Sequence, residues 1–181
     1  MKRNKVLIVI DMQNDFVTGA LGSDSAKGII KNVCEKIHDY IDAGNEIFFT
    51  RDTHHSDYLD TFEGRHLPIE HCLSGTEGWK IISEIREIVL ADGKPRYVVV
   101  NKNTFGYYKW GEFIDQNNEC DIEIVGVCTD VCVVSNAIIL RALFPSRNIT
   151  VDASCCAGTT MEKHKAALDV MRSCQIEVIG E

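Results

Sequence analysis

A chain of 181 residues with 45% hydrophobic and 25% charged residues has room for one globular domain with a sizeable core, and its composition excludes a disordered or membrane-spanning protein. The formal net charge of -8 speaks against a nucleic-acid surface and for a small substrate that needs no basic field to find its site. The basic N-terminus, residues 1–5, leads into an apolar run at 6–10 that is too short for a signal-peptide core and ends at Asp11. No stretch has the length of a transmembrane helix, so the expected location is cytoplasmic. In a reducing compartment the 8 cysteines read as free thiols, most of them small core hydrophobes.

Apolar, β-branched runs at 6–10, 46–50, 97–100, 122–127, 148–151 and 176–179 alternate with amphipathic stretches. Most show no polar alternation, the pattern of strands buried on both faces of a parallel sheet. Between the first two runs, Ala26, Ile30, Val33, Ile37 and Ile41 form one helical stripe that Gly44 ends. The irregular segment 52–78 follows and holds four of the six histidines, His54, His55, His66 and His71. A weaker helix is predicted over 79–90, and a stronger one over 130–144 with Thr129 as N-cap and Pro145 just beyond its end. The last helix, about 160–173, is opened by the capping box Thr159-x-x-Glu162. This alternation predicts a single-domain, doubly wound α/β fold over residues 1–181, with a mostly parallel sheet of about six strands and helices on both faces.

Ligands of open α/β sheets bind beyond the carboxyl ends of the strands. Asp11, Asp52, Lys102 and the segment Cys128 to Cys132 follow the first four strands, so topology alone brings them together. Cys132 would lie in a first helical turn, where unpaired amides and the helix dipole stabilise a thiolate. Lys102 can supply a cation that lowers the thiol pKa further, and Asp11 can take the thiol proton. Each of these residues alone reads more simply as core, cap or surface; acid, ammonium and thiol converging at adjacent strand ends favour chemistry. Asp52-Thr53-His54, with His71 further on, offers oxygen and two nitrogens to a divalent cation, Zn²⁺ with Mn²⁺ or Fe²⁺ as rivals. Phe16, Leu21 and Phe105 are candidate walls for a flat ring, though a Phe near a strand end is more often core. His55 and His66 read as solvated, and Cys155–Cys156 as structural rather than redox-active.

Ile10-Asp11-Met12-Gln13-Asn14-Asp15-Phe16 and Gly126-Val127-Cys128-Thr129-Asp130-Val131-Cys132-Val133 resemble the opening and nucleophile motifs of the isochorismatase-like cysteine hydrolases. The resemblance spans essentially the whole chain. It implies Asp11 as proton shuttle, Lys102 as electrostatic partner and Cys132 as nucleophile. It also implies a cis peptide between Val127 and Cys128 that aims the Cys128 amide, with that of Cys132, at a developing oxyanion. The D-x-H and the stretch His71-Cys72-Leu73-Ser74-Gly75-Thr76-Glu77-Gly78 are similar to the nicotinamidase (pyrazinamidase) branch. That likeness implies Asp52, His54 and His71 as metal ligands, and hydrolysis of nicotinamide to nicotinate and ammonia through a thioester. It also suggests homo-oligomers. Two positions depart from the branch. Asp60 stands where many members have a further His ligand, which leaves its role open, and Pro68 stands where some have an aromatic. The alternatives are a cysteine amidohydrolase acting on a carbamoyl or ureido amide, or a non-catalytic metal-binding member of the fold. A nucleotide-binding domain lacks support, since no glycine-rich phosphate loop follows the first strand.

Overall fold

The computed structural model describes residues 4–94, 97–114 and 120–181; residues 1–3 of the basic N-terminus lie outside them. Six strands form one parallel sheet: β1 (Asn4–Ile10), β2 (Glu46–Asp52), β3 (Tyr97–Lys102), β4 (Cys120–Val127), β5 (Ile149–Ala157) and β6 (Glu177–Ile179). Their spatial order is β3-β2-β1-β4-β5-β6, and every neighbouring pair is parallel. The chain leaves β1 toward β2 and β3, then crosses back to place β4 on the other side of β1. The carboxyl ends of β1 and β4 therefore flank the topological switch point, where open α/β sheets bind ligands.

Alternate residues of β1 serve two cores. Val6, Ile8 and Ile10 pack with Val133, Ala137 and Leu140, and with Leu168 and Met171 of the last helix. Leu7 and Val9 pack with Val33, Ile37 and Ile85 on the opposite face. Helices on both faces make this the doubly wound fold expected. No described helix is long and apolar enough to cross a membrane.

The helices differ from expectation in instructive places. A short α1 (Asn14–Val17) follows β1. The predicted stripe at 26–41 divides into α2 (Asp24–Gly28), capped by the Ser23 hydroxyl, and α3 (Ile30–Asp42), with Gly28, a weak helix former, at the break. Segment 52–78 carries a 3₁₀ turn (Tyr58–Asp60) and α4 (Phe62–His66). The helix predicted over 79–90 begins later, as α5 (Ser83–Asp92), because 80–82 is pinned beside the start of the chain. There Asn14 N donates to Lys80 O and Ile82 N to Met12 O. The helix predicted from Asp130 starts as a wide π turn (Thr129–Val133) and continues as α6 (Val134–Leu143). Cys128, not Thr129, occupies its cap position. The last helix, α7 (Met161–Ser173), is capped by Thr160 rather than Thr159. The threonines are displaced because Thr129 and Thr159 have other hydrogen-bond partners.

Strand β5 runs six residues past its predicted end, so Cys155 and Cys156 point into opposite cores. The polar Asp152 and Ser154 hid this extension. They are accommodated by a network: Lys36 Nζ lies 2.6 Å from Glu123 Oε1 and 2.8 Å from Asp152 Oδ2, and the Tyr40 hydroxyl donates to Glu123. Strand β3 is an edge strand with Val99 partly exposed, not the doubly buried strand its apolar run suggests.

Lys36→Met is expected to destabilise the protein by about 3 kcal/mol, because it leaves two carboxylates buried without a cation. Urea unfolding measures it. Burial would raise the Asp152 carboxyl, but hydrogen bonds from Lys36 and Ser154 outweigh it and hold it below the usual range. Its contribution to stability is therefore complete above the unfolded-chain value of about 3.9 and is lost as pH falls through the lower folded value. Much of the acid dependence in that window should vanish in Asp152→Asn.

Candidate active site

Four strand ends deliver the expected residues to one place. Asp11, one residue past β1, has a left-handed backbone (φ 49°) held by its N–H to the Thr50 hydroxyl at 3.0 Å and by Gln13 N donating to its carbonyl at 2.6 Å. The Thr50 hydroxyl in turn donates to Asp11 Oδ1 at 2.6 Å. The register of β2 with β3 pairs Asp52 with Lys102. The Lys102 ammonium lies 2.6 Å from Asp11 Oδ2, 3.4 Å from Asp52 Oδ1 and 3.6 Å from the Cys132 sulfur. All four residues are buried.

The turn that carries Cys132 is set by close packing of strand on strand. Gly126 has φ 120°, and a Cβ there would lie 2.1 Å from the Ile10 carbonyl oxygen, so only glycine lets β4 lie this close to β1. The Val127–Cys128 peptide is cis. Asn136, one turn into α6, uses its full hydrogen-bonding capacity. Its amide donates to Cys132 O and Phe105 O, and its carbonyl accepts from Tyr107 N and the Trp110 indole. It thus joins the cysteine to the segment after Lys102.

Burial governs the proton positions. It pushes the Cys132 thiol well above the usual range; the Lys102 charge works against it without prevailing, and Asp11 and Asp52 add to it. Burial thus works against the thiolate that the helix start and the ammonium favour. Burial also raises the Asp11 carboxyl against the pull of Lys102. Burial would lower the Lys102 ammonium, but Asp11 and Asp52, and the Cys132 sulfur when ionised, hold it up. A thiol and a carboxyl both pushed up by burial, with an ammonium between them, suit transfer of the thiol proton to Asp11 as attack occurs.

Beside this cluster Asp52, His54, Glu63 and His71 bring one donor atom each to within 4.8 Å of one another. His54 Nε2 is 2.9 Å and His71 Nε2 3.6 Å from Asp52 Oδ2, and Glu63 Oε1 is 3.8 Å from both nitrogens. The backbone aligns the two imidazoles: His54 N donates to Cys72 O, and Ser74 N to His54 O. Tyr58 packs edge-on to the His71 ring and tilted against that of His54. The bond of His71 Nδ1 to Ile69 O leaves Nε2 as the free lone pair facing the cluster. Burial and the neighbouring Asp52 push the Glu63 carboxyl up, the penalty of gathering two carboxylates in a small space. A divalent cation would relieve it, and two imidazoles with two carboxylates suit Zn²⁺, Mn²⁺ or Fe²⁺.

The fourth donor is therefore Glu63, not Asp60, which is exposed on the 3₁₀ turn. In the sequence Glu63 is one more acid in a segment read as irregular; α4, capped by Thr61, places it beside the imidazoles. The polar residues of the opening motif are also explained. Gln13 donates to the carbonyls of Asp52 and Trp79 and accepts from Asp52 N. Asn14 donates to Glu77 O, and Asp15 accepts from Cys72 N, next to His71. They clamp the segments that carry Asp52 and His71 to the end of β1. His55 and His66 are exposed, as expected, and all eight cysteines are free.

A cavity of about 350 Å³ is walled by Cys132 and Cys128 on one side and by Asp52, Glu63 and His71 on the other. Phe16, Leu21 and Phe105, the three candidate ring walls, all line it, and Phe16 packs edge-on to His71.

A buried thiol at a helix start, beside an acid and an ammonium at parallel strand ends, defines the class of cysteine-centred α/β hydrolases. Within that class the chain belongs to the isochorismatase family: the Isochorismatase domain model matches residues 5–180. A nicotinamidase of Schizosaccharomyces pombe is 24% identical over 100% of this chain and 95% of its own length. The structure of a nicotinamidase/pyrazinamidase from Bacillus subtilis superposes with a TM-score of 0.86 at 23% identity, covering 97% of this chain and 99% of that one. A Pyrococcus horikoshii pyrazinamidase solved in complex with zinc has a TM-score of 0.78 at 26% identity, covering 98% of this chain and 99% of that one.

Glu63→Gln is expected to weaken Zn²⁺ binding by at least about tenfold, and Asp60→Asn to leave it unchanged. Competition with a chromophoric chelator measures both.

Proposed function

We propose that this protein hydrolyses nicotinamide to nicotinate and ammonia, with Asp11, Lys102 and Cys132 as catalytic residues and a divalent cation, Zn²⁺ first, held by Asp52, His54, Glu63 and His71. The observation that carries this reading is the shared cavity: thiol and cation cluster face the same space, so one small molecule can meet both. Its size and largely apolar walls suit a flat heteroaromatic amide. The nicotinamidases among the relatives support the substrate, and the zinc-bound pyrazinamidase supports the metal.

The bound cation would supply Lewis acidity and open coordination positions for a ring nitrogen. The remaining chemistry belongs to the chain's own side chains. Asp11 takes the proton of the Cys132 thiol as sulfur attacks the amide carbon. The carbonyl oxygen becomes an oxyanion that receives the N–H groups of Cys128 and Cys132. Lys102 offsets the charges passing between Asp11 and the sulfur. Asp11 then returns its proton to the amide nitrogen, the C–N bond breaks, ammonia leaves and a thioester remains on Cys132. Water attacks that thioester with Asp11 accepting its proton; the C–S bond breaks, nicotinate departs and the thiol is regenerated.

Ammonia release from nicotinamide should fall by about a thousandfold or more in Cys132→Ala. Chelation should suppress the wild-type reaction and Zn²⁺ should restore it. Retained turnover in the alanine variant would contradict the thiol's role. A chelated protein that is inert on nicotinamide yet still active on a ureido amide would move the substrate to the carbamoyl class.

A further inference from the structure

The π turn Thr129–Val133 carries the reactive sulfur and one of the two proposed oxyanion amides, yet neither it nor α6 has a side-chain cap. Asn136 holds the carbonyl of Cys132 from within α6, and the outer side of the turn is held by the segment after β5. Asp130 turns its carboxylate outward: Oδ1 accepts the Thr159 N–H at 2.7 Å, and Oδ2 accepts the Thr159 hydroxyl at 2.5 Å. One residue before Asp130, the Thr129 hydroxyl shares a 2.8 Å hydrogen bond with His164 Nδ1 on α7. The two surfaces meet so closely at Gly158 that a Cβ would lie 2.8 Å from His164 Cβ and 2.9 Å from Asp130 Oδ1. Gly158 and Thr159 also wall the cavity that Cys132 faces. The same contacts explain why Thr159 does not cap α7.

We infer that Asp130 is a positioning residue: its two-point grip on Thr159 fixes the turn that aims the Cys132 thiol and the oxyanion amides. The inference rests on the amidase reading for its kinetic consequence, although the geometry stands without it. Asp130 touches neither thiol nor cation cluster and acts only through the turn. A displacement of about 1 Å at a reacting atom is enough to cost a hundredfold in rate. Releasing the grip should therefore reduce kcat and leave ground-state binding nearly intact.

The test compares wild type with Asp130→Ala, Asp130→Asn and Thr159→Val, using kcat and KM for nicotinamide and the thermal midpoint. In Asp130→Ala, kcat should fall about ten- to a hundredfold with KM within about threefold. Asp130→Asn should recover most of the loss, since its carbonyl still accepts the Thr159 N–H and its amide can donate to the hydroxyl. Thr159→Val, which keeps the N–H, should lie between. A wild-type kcat in Asp130→Ala overturns the inference. So does a loss that follows only the drop in thermal midpoint, with no recovery in the asparagine variant. A second readout needs no substrate. The rate of Cys132 alkylation by iodoacetamide, followed by peptide mapping, should rise about fivefold or more in Asp130→Ala as the buried sulfur gains access. An unchanged rate overturns the inference even if nicotinamide proves not to be the substrate; a wild-type protein inert on nicotinamide removes the amidase reading alone.

Discussion

One buried ammonium holds the two halves of the site together. Lys102 Nζ touches Asp11, Asp52 and the Cys132 sulfur, and it is almost fully shielded from water. An isolated lysine at that depth would lose its proton; three neighbours that are anionic, or become so, keep it charged. The dependence is mutual. Without that cation, Asp11 would keep only the Thr50 hydroxyl and Asp52 only the two imidazoles, and two buried carboxylates would face each other with no ammonium between them. The same ammonium stands between two groups of side chains: Asp11 and the thiol on one side, and Asp52 with its two imidazoles and Glu63 on the other.

The fold explains why this arrangement arises at one end only. Parallel strands direct all their carboxyl ends to one edge, and the reversal between β1 and β4 opens a crevice there. The polar residues after β1 then hold segments that the sheet does not reach. Gln13 secures the backbone of Asp52, and Asp15 secures the chain beside His71. Asn136 performs the equivalent task from α6, tying the cysteine's carbonyl to the loop that follows Lys102. These amides and carboxylates saturate backbone groups that would otherwise be buried unpaired, which is how irregular loops become rigid enough to carry ligands.

Much of this was legible in the sequence, for identifiable reasons. Uninterrupted apolar runs marked buried parallel strands, and the strand ends then pointed to Asp11, Asp52, Lys102 and Cys132 without three-dimensional information. The long irregular segment holds four histidines, and it was the resemblance of the D-x-H and of the stretch from His71 that set His54 and His71 apart from His55 and His66. What was hidden depended on orientations that sequence does not encode. Glu63 is an ordinary acid in a segment read as irregular, until the short α4 brings it to the imidazoles. Thr129 and Thr159 carry sound capping signals, but contacts across the fold compete for their hydroxyls and the caps move by one residue. The extension of β5 was masked by Asp152, whose charge is met by Lys36 from a helix more than a hundred residues earlier. The elevated thiol is a further case, since a helix start and a nearby ammonium argue for thiolate, and only the depth of burial reverses the sign.

If a single molecule engages thiol and cation cluster together, it should be held for a time on Cys132, and acid quenching of Zn²⁺-loaded protein during turnover of nicotinamide, followed by peptide mass spectrometry, would trap it there. A nicotinoyl adduct confined to the Cys132 peptide, absent when zinc is withheld, is the expected result. Release of nicotinate with no adduct on that peptide, or with the adduct on another of the eight cysteines, would contradict the account.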